Sequence, residues 1–357
     1  MPKKVFVAMS GGVDSSLSAA LLAEQGYKVT GVYMKNWTRD IAGFECPWRE
    51  DYEDAKRVAV KLGIDFLVFD FQKKYKQKVV DYMIGEYKAG RTPNPDIMCN
   101  QEIKFKLFLD TALERGADMI ATGHYSRIVR NSANPKSQAG LYMAKDKNKD
   151  QSYFLYRITE EALSKSLMPI GEFGSKVEVR REAKKRGLPT AEKKDSQGIC
   201  FVGQVGIKDF LSQYVKPKPG PIVDHSLSSE GKEIGEHDGA FFYTIGQRHG
   251  LDVGGGLPYY VMKKNMKKNI VYVTTDLDDK QLWSKEIILE NLHWINKKPT
   301  LQGQSLQARL RYRGPLIGCK ISDKNLVLDE EQRAIAAGQS AVIYDGEKVL
   351  GGGIITS

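Results

Sequence analysis

The sequence predicts an α/β protein in which a doubly wound parallel-sheet domain is followed by a small β-rich central domain and a C-terminal β-barrel. Two observations predict this order. Residues 1–125 alternate short runs rich in β-branched and aromatic residues with segments of helical periodicity, which is typical of a parallel sheet covered by helices on both faces. After the segment KPKPGP at residues 216–221, the chain changes to short alternating runs separated by Gly, Asp and Asn, which is typical of antiparallel strands.

The same periodicity predicts where the individual elements lie. In the first domain, we expect strands at residues 5–9, 29–33, 66–69 and 119–122, and helices at residues 15–25, 51–62 and 75–88. A hairpin is expected near residues 141–145 and a basic helix at residues 176–187. Further strands are expected at residues 240–245, 259–262, 270–274, 306–312 and 340–344. The elements divide the chain into expected domains at residues 1–205, 206–278 and 279–357.

Composition and charge restrict the kinds of partner. Lys and Arg total 54 and Asp and Glu total 44, and the resulting net charge of +10 favours a polyanionic partner. Nucleic acid is favoured over a membrane because no amphipathic basic helix or apolar anchor accompanies the charge. No signal segment and no run of roughly 18 apolar residues is found, so the expected compartment is the cytoplasm. The 4 cysteines are too scattered for a disulfide scaffold, which leaves a transient, catalytic disulfide as the expected kind.

The first predicted strand runs directly into the sequence SGGVDSS at residues 10–16. Glycines let the backbone approach phosphate oxygens, serine hydroxyls donate to them, and the following helix adds free N–H groups at its N-terminus. The loop lacks the Gly-Lys-Ser/Thr of a Walker loop and the spacing of the dinucleotide fingerprint, which disfavours γ-phosphate transfer and NAD binding. An ordinary Gly-rich turn is the alternative. The loop resembles the SGGxDS pyrophosphate loop of enzymes that split ATP between its α and β phosphates and adenylate a substrate oxygen, which makes that oxygen a good leaving group.

Two of the cysteines lie in polar loops where a reactive thiol is favoured over a buried one. Cys99 ends the sequence TPNPDIMC just before a helical segment, whose N-terminal dipole would favour the thiolate. Cys200 ends the sequence DSQGIC, which follows the lysine pair that begins at Lys193, and nearby positive charge would raise the ionised fraction of a thiol that ordinarily ionises near pH 8.5. Cys319 lies in a strand-like segment and is expected to be a buried structural residue, and Cys46 is assigned no role.

Eight segments resemble those of the tRNA-specific 2-thiouridylases, in the order of that family and over essentially the whole chain. They are AMSGGVDSS at 8–16, MKNW at 34–37, GRTPNPDIMC at 90–99, ATGHY at 121–125, KDQSYFL at 149–155, DSQGICF at 195–201, TIGQR at 244–248 and GQSAV at 338–342. The resemblance implies a pyrophosphate-loop domain like that of the adenine nucleotide α-hydrolases. It also implies a sulfurtransferase that converts the C2 carbonyl of the wobble uridine at position 34 of certain tRNAs into a thiocarbonyl.

The resemblance further implies roles for individual residues. Cys200 would carry a persulfide, Cys99 would attack it or close a transient disulfide with it, and Asp96 is a candidate acid/base group. ATP would be held by Ala8, Met9, Ser10, Gly11, Gly12, Val13, Asp14 and Ser15, with Met34 and Gly123 flanking adenine and ribose. The flipped-out uracil is expected beside Asn94, Pro95 and Asp96. Other positions expected to touch tRNA are His124, Lys149, Asp150, Gln151, Arg311, Tyr312 and Gln339.

The implied partners are ATP, tRNA and a protein that donates persulfide sulfur. Mg²⁺ is expected with the triphosphate, although the spacing of residues reveals no ligand set and predicts no metal site of the chain itself. The tRNAs expected are those for lysine, glutamate and glutamine, and no membrane partner is expected. An iron-sulfur cluster held by Cys99, Cys200 and a third ligand is an alternative chemistry that is not favoured.

The last domain carries an independent indication of RNA binding. In LQARLRYR at residues 306–313, a strand period of two would send Arg309, Arg311 and Arg313 to one face, where they suit a phosphate backbone. A merely solvated strand face is the alternative. The basic helix near Arg180 and Lys184 is equally consistent with RNA binding and with a solvated surface.

Two rival functions remain at this stage. A different ATP pyrophosphatase, such as an amidating ligase, would explain the phosphate loop but would leave Cys99, Cys200 and the basic tail without a role. A non-catalytic RNA-binding protein would need neither the loop nor the cysteines. Together, the loop and the two cysteines favour the sulfurtransferase.

Overall fold

The N-terminal domain is built on five parallel strands in the order β3-β2-β1-β4-β7. The computed structural model describes residues 1–40, 45–130, 139–195, 206–226, 231–254, 258–298 and 305–356. The five strands are β1 (Lys4–Ala8), β2 (Lys28–Lys35), β3 (Asp65–Asp70), β4 (Met119–Ala121) and β7 (Ser166–Leu167). All four strands predicted for this region are confirmed. The two-residue β7 was too short to leave a periodic signal.

Helices cover both faces of this sheet, as the fold class predicts. Within the described residues, the α-helices are α1 (Val13–Glu24), α2 (Trp48–Leu62), α3 (Gln72–Tyr75), α4 (Asp81–Lys88), α5 (Pro95–Met98), α6 (Phe108–Glu114), α7 (Glu160–Ser164), α8 (Lys176–Lys185) and α9 (Ile207–Ser212). π-Helical stretches at Lys76–Val80 and Cys99–Leu107 connect α3 to α4 and α5 to α6. Short 3₁₀ helices lie at Ser152–Leu155, Pro169–Glu172, Ala240–Phe242 and Lys280–Leu282.

Successive residues of β1 point into two separate cores. Phe6 belongs to a cluster that includes residues of α4 and α6, and Val7 belongs to another that includes residues of α1, α2 and α8. Every second side chain of a strand faces the same side, so both faces of the sheet are buried. The predicted helices at 15–25, 51–62 and 176–187 are confirmed, and Ser175 caps α8 by accepting a 3.2 Å hydrogen bond from the backbone N–H of Glu178.

The central domain is a four-stranded sheet in the order β10-β11-β8-β9. Its strands are β8 (Gly220–Asp224), β9 (Lys232–His237), β10 (Tyr260–Asn265) and β11 (Ile270–Thr274). The strand predicted at residues 240–245 is wrong, because Ala240–Phe242 form a 3₁₀ turn. These residues are apolar because they are buried, not because they form a strand. The ring centroids of Phe241 and Phe242 lie 4.1 Å apart, and both side chains are buried.

Six antiparallel strands form the C-terminal barrel. They are β12 (Trp283–Trp294), β13 (Leu306–Arg309), β14 (Ile317–Ser322), β15 (Asn325–Arg333), β16 (Ser340–Asp345) and β17 (Lys348–Ile355). The barrel closes because β12 pairs with both β15 and β17. Its interior is filled by alternate apolar residues, including Ile287, Leu306 and Leu328.

A hairpin of the N-terminal domain extends the sheet of the barrel. Strand β5 (Ser126–Val129) pairs with β6 (Gly140–Met143), and β6 pairs in turn with β17. The sequence predicted a hairpin near residues 141–145 but not that it would join the C-terminal sheet. The first and last domains are thus held together by backbone hydrogen bonds as well as by side chains.

The arginine-rich strand predicted at residues 306–312 is shorter and differently arranged. Strand β13 ends at Arg309, whose side chain is 10% exposed and forms a 3.0 Å ion pair with Asp150 of the N-terminal domain. Arg311 and Arg313 follow in a turn, where both are exposed. The expected row of three arginines on one strand face is therefore wrong, because Arg309 serves as the counterion of a buried carboxylate.

The Arg309–Asp150 pair leads to a prediction about stability. The side chain of Asp150 is 1% exposed and also accepts hydrogen bonds from the backbone of Ala144 and from Ser152. Replacing Arg309 with Met leaves this buried carboxylate without its counterion, so we expect the free energy of unfolding to fall by about 3–5 kcal/mol. Denaturant unfolding measures this loss. Lys320→Met, at an exposed position of β14, is the control and should change it by less than about 0.5 kcal/mol. Equal losses in both variants would contradict a structural role for the pair.

Candidate active site

The candidate site lies at the carboxyl edge of the parallel sheet. The strand order reverses at β1, with β2 and β3 on one side and β4 and β7 on the other. In open α/β sheets, ligands bind in the crevice outside the carboxyl ends of the strands at such a reversal. The loop after β1 is SGGVDSS, and the segment after β4 is residues 122–125, so the two meet across this crevice.

The loop after β1 has the close backbone packing that its glycines predict. Gly11 adopts φ +76°, and a Cβ added to it would lie 2.4 Å from the carbonyl oxygen of Asp51. Only glycine fits that approach without a shift of the loop or of α2. The backbone N–H of Ser10 donates to the hydroxyl of Ser15 at 3.2 Å, and that hydroxyl donates to the carbonyl oxygen of Gly12 at 3.1 Å. These bonds fix a tight turn that leads into the N-terminus of α1.

Asp14, in the first turn of α1, has two strong donors. The hydroxyl of Tyr125 donates to its carboxylate at 2.7 Å, and Lys176 donates to both of its oxygens at 2.8 and 2.9 Å. The same ammonium lies 2.9 Å from the carboxylate of Asp195. Burial raises the pKa of the Tyr125 hydroxyl, and the neighbouring Asp14 carboxylate raises it further, so this phenol stays protonated as a donor.

Residues 122–125 connect the phosphate loop to the helix that carries Cys99. A Cβ on Gly123 would lie 2.6 Å from the backbone nitrogen of Ser15, so the absence of a side chain lets this segment touch the first turn of α1. On the other side, His124 Nε2 lies 3.4 Å from Lys104 Nζ, on the π-helical stretch that begins at Cys99. The predicted Gly123 is therefore at the phosphate loop, and Met34 is near the carboxyl end of the neighbouring strand β2.

His124 is a neutral, buried histidine. Burial lowers its pKa well below the usual value, and the positive charge of Lys104 lowers it further. Because an ammonium group can only donate, Nε2 must accept, and the proton lies on Nδ1, which is 2.8 Å from the hydroxyl oxygen of Thr122.

Asp96, the expected acid/base group, lies in the first turn of α5. Burial raises the pKa of its carboxyl group, and Lys104 lowers it in part. A carboxyl group with a raised pKa exchanges protons closer to neutral pH than an ordinary aspartate does. Asn94, the N-cap of this helix, accepts a hydrogen bond from the backbone of Ile97 at 3.4 Å. Asn94, Pro95 and Asp96 thus form the start of the helix that carries Cys99.

Cys99 has 2% exposure and lies one turn inside this helix rather than in a loop in front of it. The helix begins at Pro95, and the dipole effect falls off within the first turn. The prediction that a helix N-terminus favours the thiolate of Cys99 is therefore wrong. Lys193 was expected to favour ionisation of the Cys200 thiol. Its ammonium forms ion pairs with Asp51 and Asp54 at 2.8 and 2.5 Å, so its charge is already compensated. Cys200 and the predicted transient disulfide lie outside the described residues.

The residues expected to touch tRNA surround this site in different ways. Gln151 accepts a 3.0 Å hydrogen bond from the backbone of Tyr125, and Gln339 donates to the carbonyl oxygen of Thr92 at 2.8 Å. Tyr312 packs on Phe154 at 4.4 Å. Lys149, which pairs with Asp195 at 3.0 Å, is half-buried, and Arg311 is exposed.

Asp150 has a buried side chain, unlike its neighbours Lys149 and Gln151. Its buried carboxylate is occupied by Arg309, Ser152 and the backbone of Ala144, so the side chain faces the interior. It anchors the segment that carries Lys149 and Gln151.

Sequence analysis assigned no role to four residues that the structure brings to the site. Tyr125 and Asp195 lie within the motif segments at 121–125 and 195–201, and Lys104 follows Cys99 by five residues, so their position was the available signal. Lys176 was visible only as part of a basic helix. Among the described residues, no group of three or more His, Cys, Asp or Glu could hold a metal ion, and none of their helices is long and apolar enough to cross a membrane.

Comparisons with known proteins identify the family. Residues 3–204 match the family model described as tRNA methyl transferase HUP domain, residues 208–275 its PRC-barrel domain, and residues 284–355 the model described as aminomethyltransferase beta-barrel domain. The chain is 46% identical, over 99% of its own length and 94% of theirs, to the tRNA-specific 2-thiouridylases MnmA of Bacillus subtilis (strain 168) and of a Bacillus cytotoxicus strain. The chain belongs to the tRNA-specific 2-thiouridylase family. The resemblance found in the sequence is thereby confirmed.

Two solved structures share weaker similarity with this family member. An NMN synthetase from Francisella tularensis superimposes with a TM-score of 0.36 at 15% identity, covering 54% of this chain and 66% of that one. A predicted subunit of a tRNA methyltransferase from Methanocaldococcus jannaschii superimposes with a TM-score of 0.31 at 21% identity, covering 51% of this chain and 76% of that one. At these scores, the similarities bear on neither the function nor the site.

The raised pKa of Asp96 leads to a prediction about pH. A carboxyl group that holds its proton more tightly in the folded protein makes stability fall as pH rises from the pKa of the unfolded chain through that of the folded protein. Asp96→Asn removes this loss, so we expect the variant to gain stability relative to the wild type as pH rises, while its turnover on tRNA is lost. Denaturant unfolding across the pH range and a turnover assay measure the two effects.

Asp110→Asn is the matched control, because Asp110 is an exposed aspartate on α6 in the same helical run. Its turnover on tRNA should match that of the wild type. Full activity of Asp96→Asn would remove this carboxyl group from the chemistry.

Proposed function

We propose that the protein is a tRNA-uridine 2-sulfurtransferase that uses ATP to replace the C2 oxygen of the wobble uridine by sulfur. The observation that carries the proposal is the junction at residues 122–125. Gly123 touches the first turn of α1 at the phosphate loop, and His124 contacts Lys104 on the helix of Cys99. A loop suited to pyrophosphate and a cysteine on a helix therefore lie on the two sides of one four-residue segment.

The first half-reaction needs only ATP and the base. The C2 oxygen of uracil attacks the α-phosphate, pyrophosphate leaves, and the adenylated oxygen becomes a good leaving group. Backbone N–H groups at the start of α1, with Ser10 and Ser15, are suited to bind the phosphates. Asp14 is the carboxylate beside the loop that would hold Mg²⁺, which when bound with the triphosphate would neutralise charge on the phosphates.

The second half-reaction needs sulfur at the oxidation level of sulfide. A persulfide on Cys200 would supply it, as the family resemblance implies. When Cys99 attacks the inner sulfur, a Cys99–Cys200 disulfide forms, and the outer sulfur leaves with the electron pair of the broken bond. That sulfur attacks C2 of the base, AMP departs with the former carbonyl oxygen, and a dithiol reductant returns the disulfide to thiols. Asp96 is suited to move protons in this exchange.

The segments that surround the site support an RNA partner. The side chains of Lys149 and Arg311 remain accessible, and Tyr312 presents an aromatic ring beside Phe154. With Gln151 and Gln339 they form the surface that we propose contacts the tRNA. The tRNAs for lysine, glutamate and glutamine and a persulfide-donating protein are the partners implied by the resemblance.

Methyl transfer is the second candidate, because the matched family models are described by methyltransferase names. It gives no role to the SGGVDSS loop, since methyl transfer does not need pyrophosphate to leave ATP. An iron-sulfur version of the sulfur chemistry would require a third ligand beside the two cysteines. The iron content of protein prepared without oxygen tests that version.

Pyrophosphate release tests the proposed function. With ATP and Mg²⁺, we expect the wild-type protein to release pyrophosphate and AMP only when the unmodified tRNA is added. The matched control is the same tRNA with cytidine in place of the wobble uridine, which should give no release above background. Release that depends on ammonia and a metabolite, without tRNA, would indicate an amidating ligase instead.

Sulfur labelling separates the roles of the two cysteines. Cys200→Ser should fail to accept labelled sulfur from a persulfide donor, because it lacks the carrier thiol. Cys99→Ser should accept the label and then stall before the tRNA is modified. Cys319→Ser is the control, since this cysteine is buried in the core of the barrel, and its labelling and turnover should match the wild type. Equal labelling of the Cys99 and Cys200 variants would contradict these assignments.

A further inference from the structure

Lys176 has a complete set of acceptors at the edge of the phosphate loop. Its ammonium lies 2.9 and 2.8 Å from the two carboxylate oxygens of Asp14 and 2.9 Å from an oxygen of Asp195. Its side chain is only 14% exposed, and the ring of Tyr125 lies 5.6 Å from the nitrogen. An ammonium group has three donors, so these three oxygens satisfy it fully.

The backbone of Lys176 is fixed, but its side chain is long enough to turn. Lys176 is the first residue of α8, whose N-terminus is capped by Ser175, and its backbone N–H donates to the carboxylate of Asp146 at 3.1 Å. The four-carbon stem can redirect the ammonium group without any movement of the helix. The ammonium group can therefore leave one set of oxygen acceptors for another at the same site.

Asp195 is surrounded by more positive charge than one carboxylate neutralises. Lys149, Lys176 and Arg180 lie 3.0, 2.9 and 2.8 Å from its oxygens. Burial raises the pKa of Asp195, but hydrogen bonds from Lys176 and Lys149 outweigh burial and bring it to about 2. The carboxylate is therefore ionised at neutral pH, and it competes with any other anion for these cations.

We propose that Lys176 binds the phosphates of ATP, and that Asp14 and Asp195 hold its ammonium in place while nucleotide is absent. This rests on the proposed function, since it requires ATP at the SGGVDSS loop. Without Lys176, the carboxylate of Asp14 beside that loop would repel a triphosphate, and the ammonium group offsets this repulsion. When phosphate oxygens replace the carboxylate oxygens around the ammonium, Asp14 becomes available to Mg²⁺. Lys176 is thus a substrate-binding residue.

The test compares three variants of the full-length protein. The probe is α,β-methylene-ATP with Mg²⁺, which cannot be cleaved between the α and β phosphates, and its affinity is measured by titration calorimetry. Lys176→Met should weaken binding by about ten- to a hundredfold, the range for hydrogen bonds to a charged group. Asp195→Asn should strengthen binding several-fold, because the competing carboxylate is gone. The control Lys184→Met, on the same helix with a side chain 74% exposed, should leave binding unchanged.

Adenosine, which has no phosphates, separates a phosphate contact from a structural role. We expect Lys176→Met to bind adenosine as the wild type does, and Lys176→Arg to recover part of the lost affinity for the ATP analogue. The proposal is overturned if Lys176→Met binds the analogue within twofold of the wild type, if both ligands weaken equally, or if Asp195→Asn weakens the analogue tenfold. Failure of the wild type itself to bind the analogue would instead refute the proposed function.

Discussion

The close approach of residues 122–125 to the first turn of α1 is the contact on which the candidate site depends. A side chain at Gly123 would collide with the backbone of Asp14 and Ser15, so this contact exists only because glycine stands there. The contact brings the hydroxyl of Tyr125 to Asp14, and through His124 it reaches Lys104 on the helix of Cys99. The parallel sheet supplies the geometry, since β1 and β4 are neighbours and their carboxyl ends open on the same edge.

The other two domains contact the loop that precedes the helix of Cys99. Gly90 packs against Met266 of the central domain, and the hydroxyls of Thr92 and Thr244 lie 3.1 Å apart. From the barrel, the carbonyl oxygen of Ala337 accepts a 2.8 Å hydrogen bond from the backbone N–H of Thr92. All three domains therefore position one short segment, whose continuation carries Asp96 and Cys99.

Much of the fold could be predicted because it is encoded locally. Buried parallel strands leave apolar runs, and the SGGVDSS loop follows the first of them. The predictions that were wrong concern residues whose structure depends on tertiary contacts. Ala240–Phe242 are apolar because they are buried in a turn, and Arg309 breaks the expected alternation because Asp150, far away in the sequence, needs a counterion. The ion pairs of Lys176 with Asp14 and Asp195 also join side chains that meet only after folding. The roles assigned to Cys99 and Cys200 remain predictions from the family resemblance.

The most direct test of the account is the identity of the modified nucleoside. Unmodified tRNA is incubated with the protein, ATP, Mg²⁺, a dithiol reductant and a persulfide donor, and its nucleosides are then separated and weighed by mass spectrometry. The account predicts a uridine at the wobble position heavier by the difference between sulfur and oxygen, and none when ATP is omitted. A product heavier by one methylene group, or thiolation that proceeds without ATP, would contradict it.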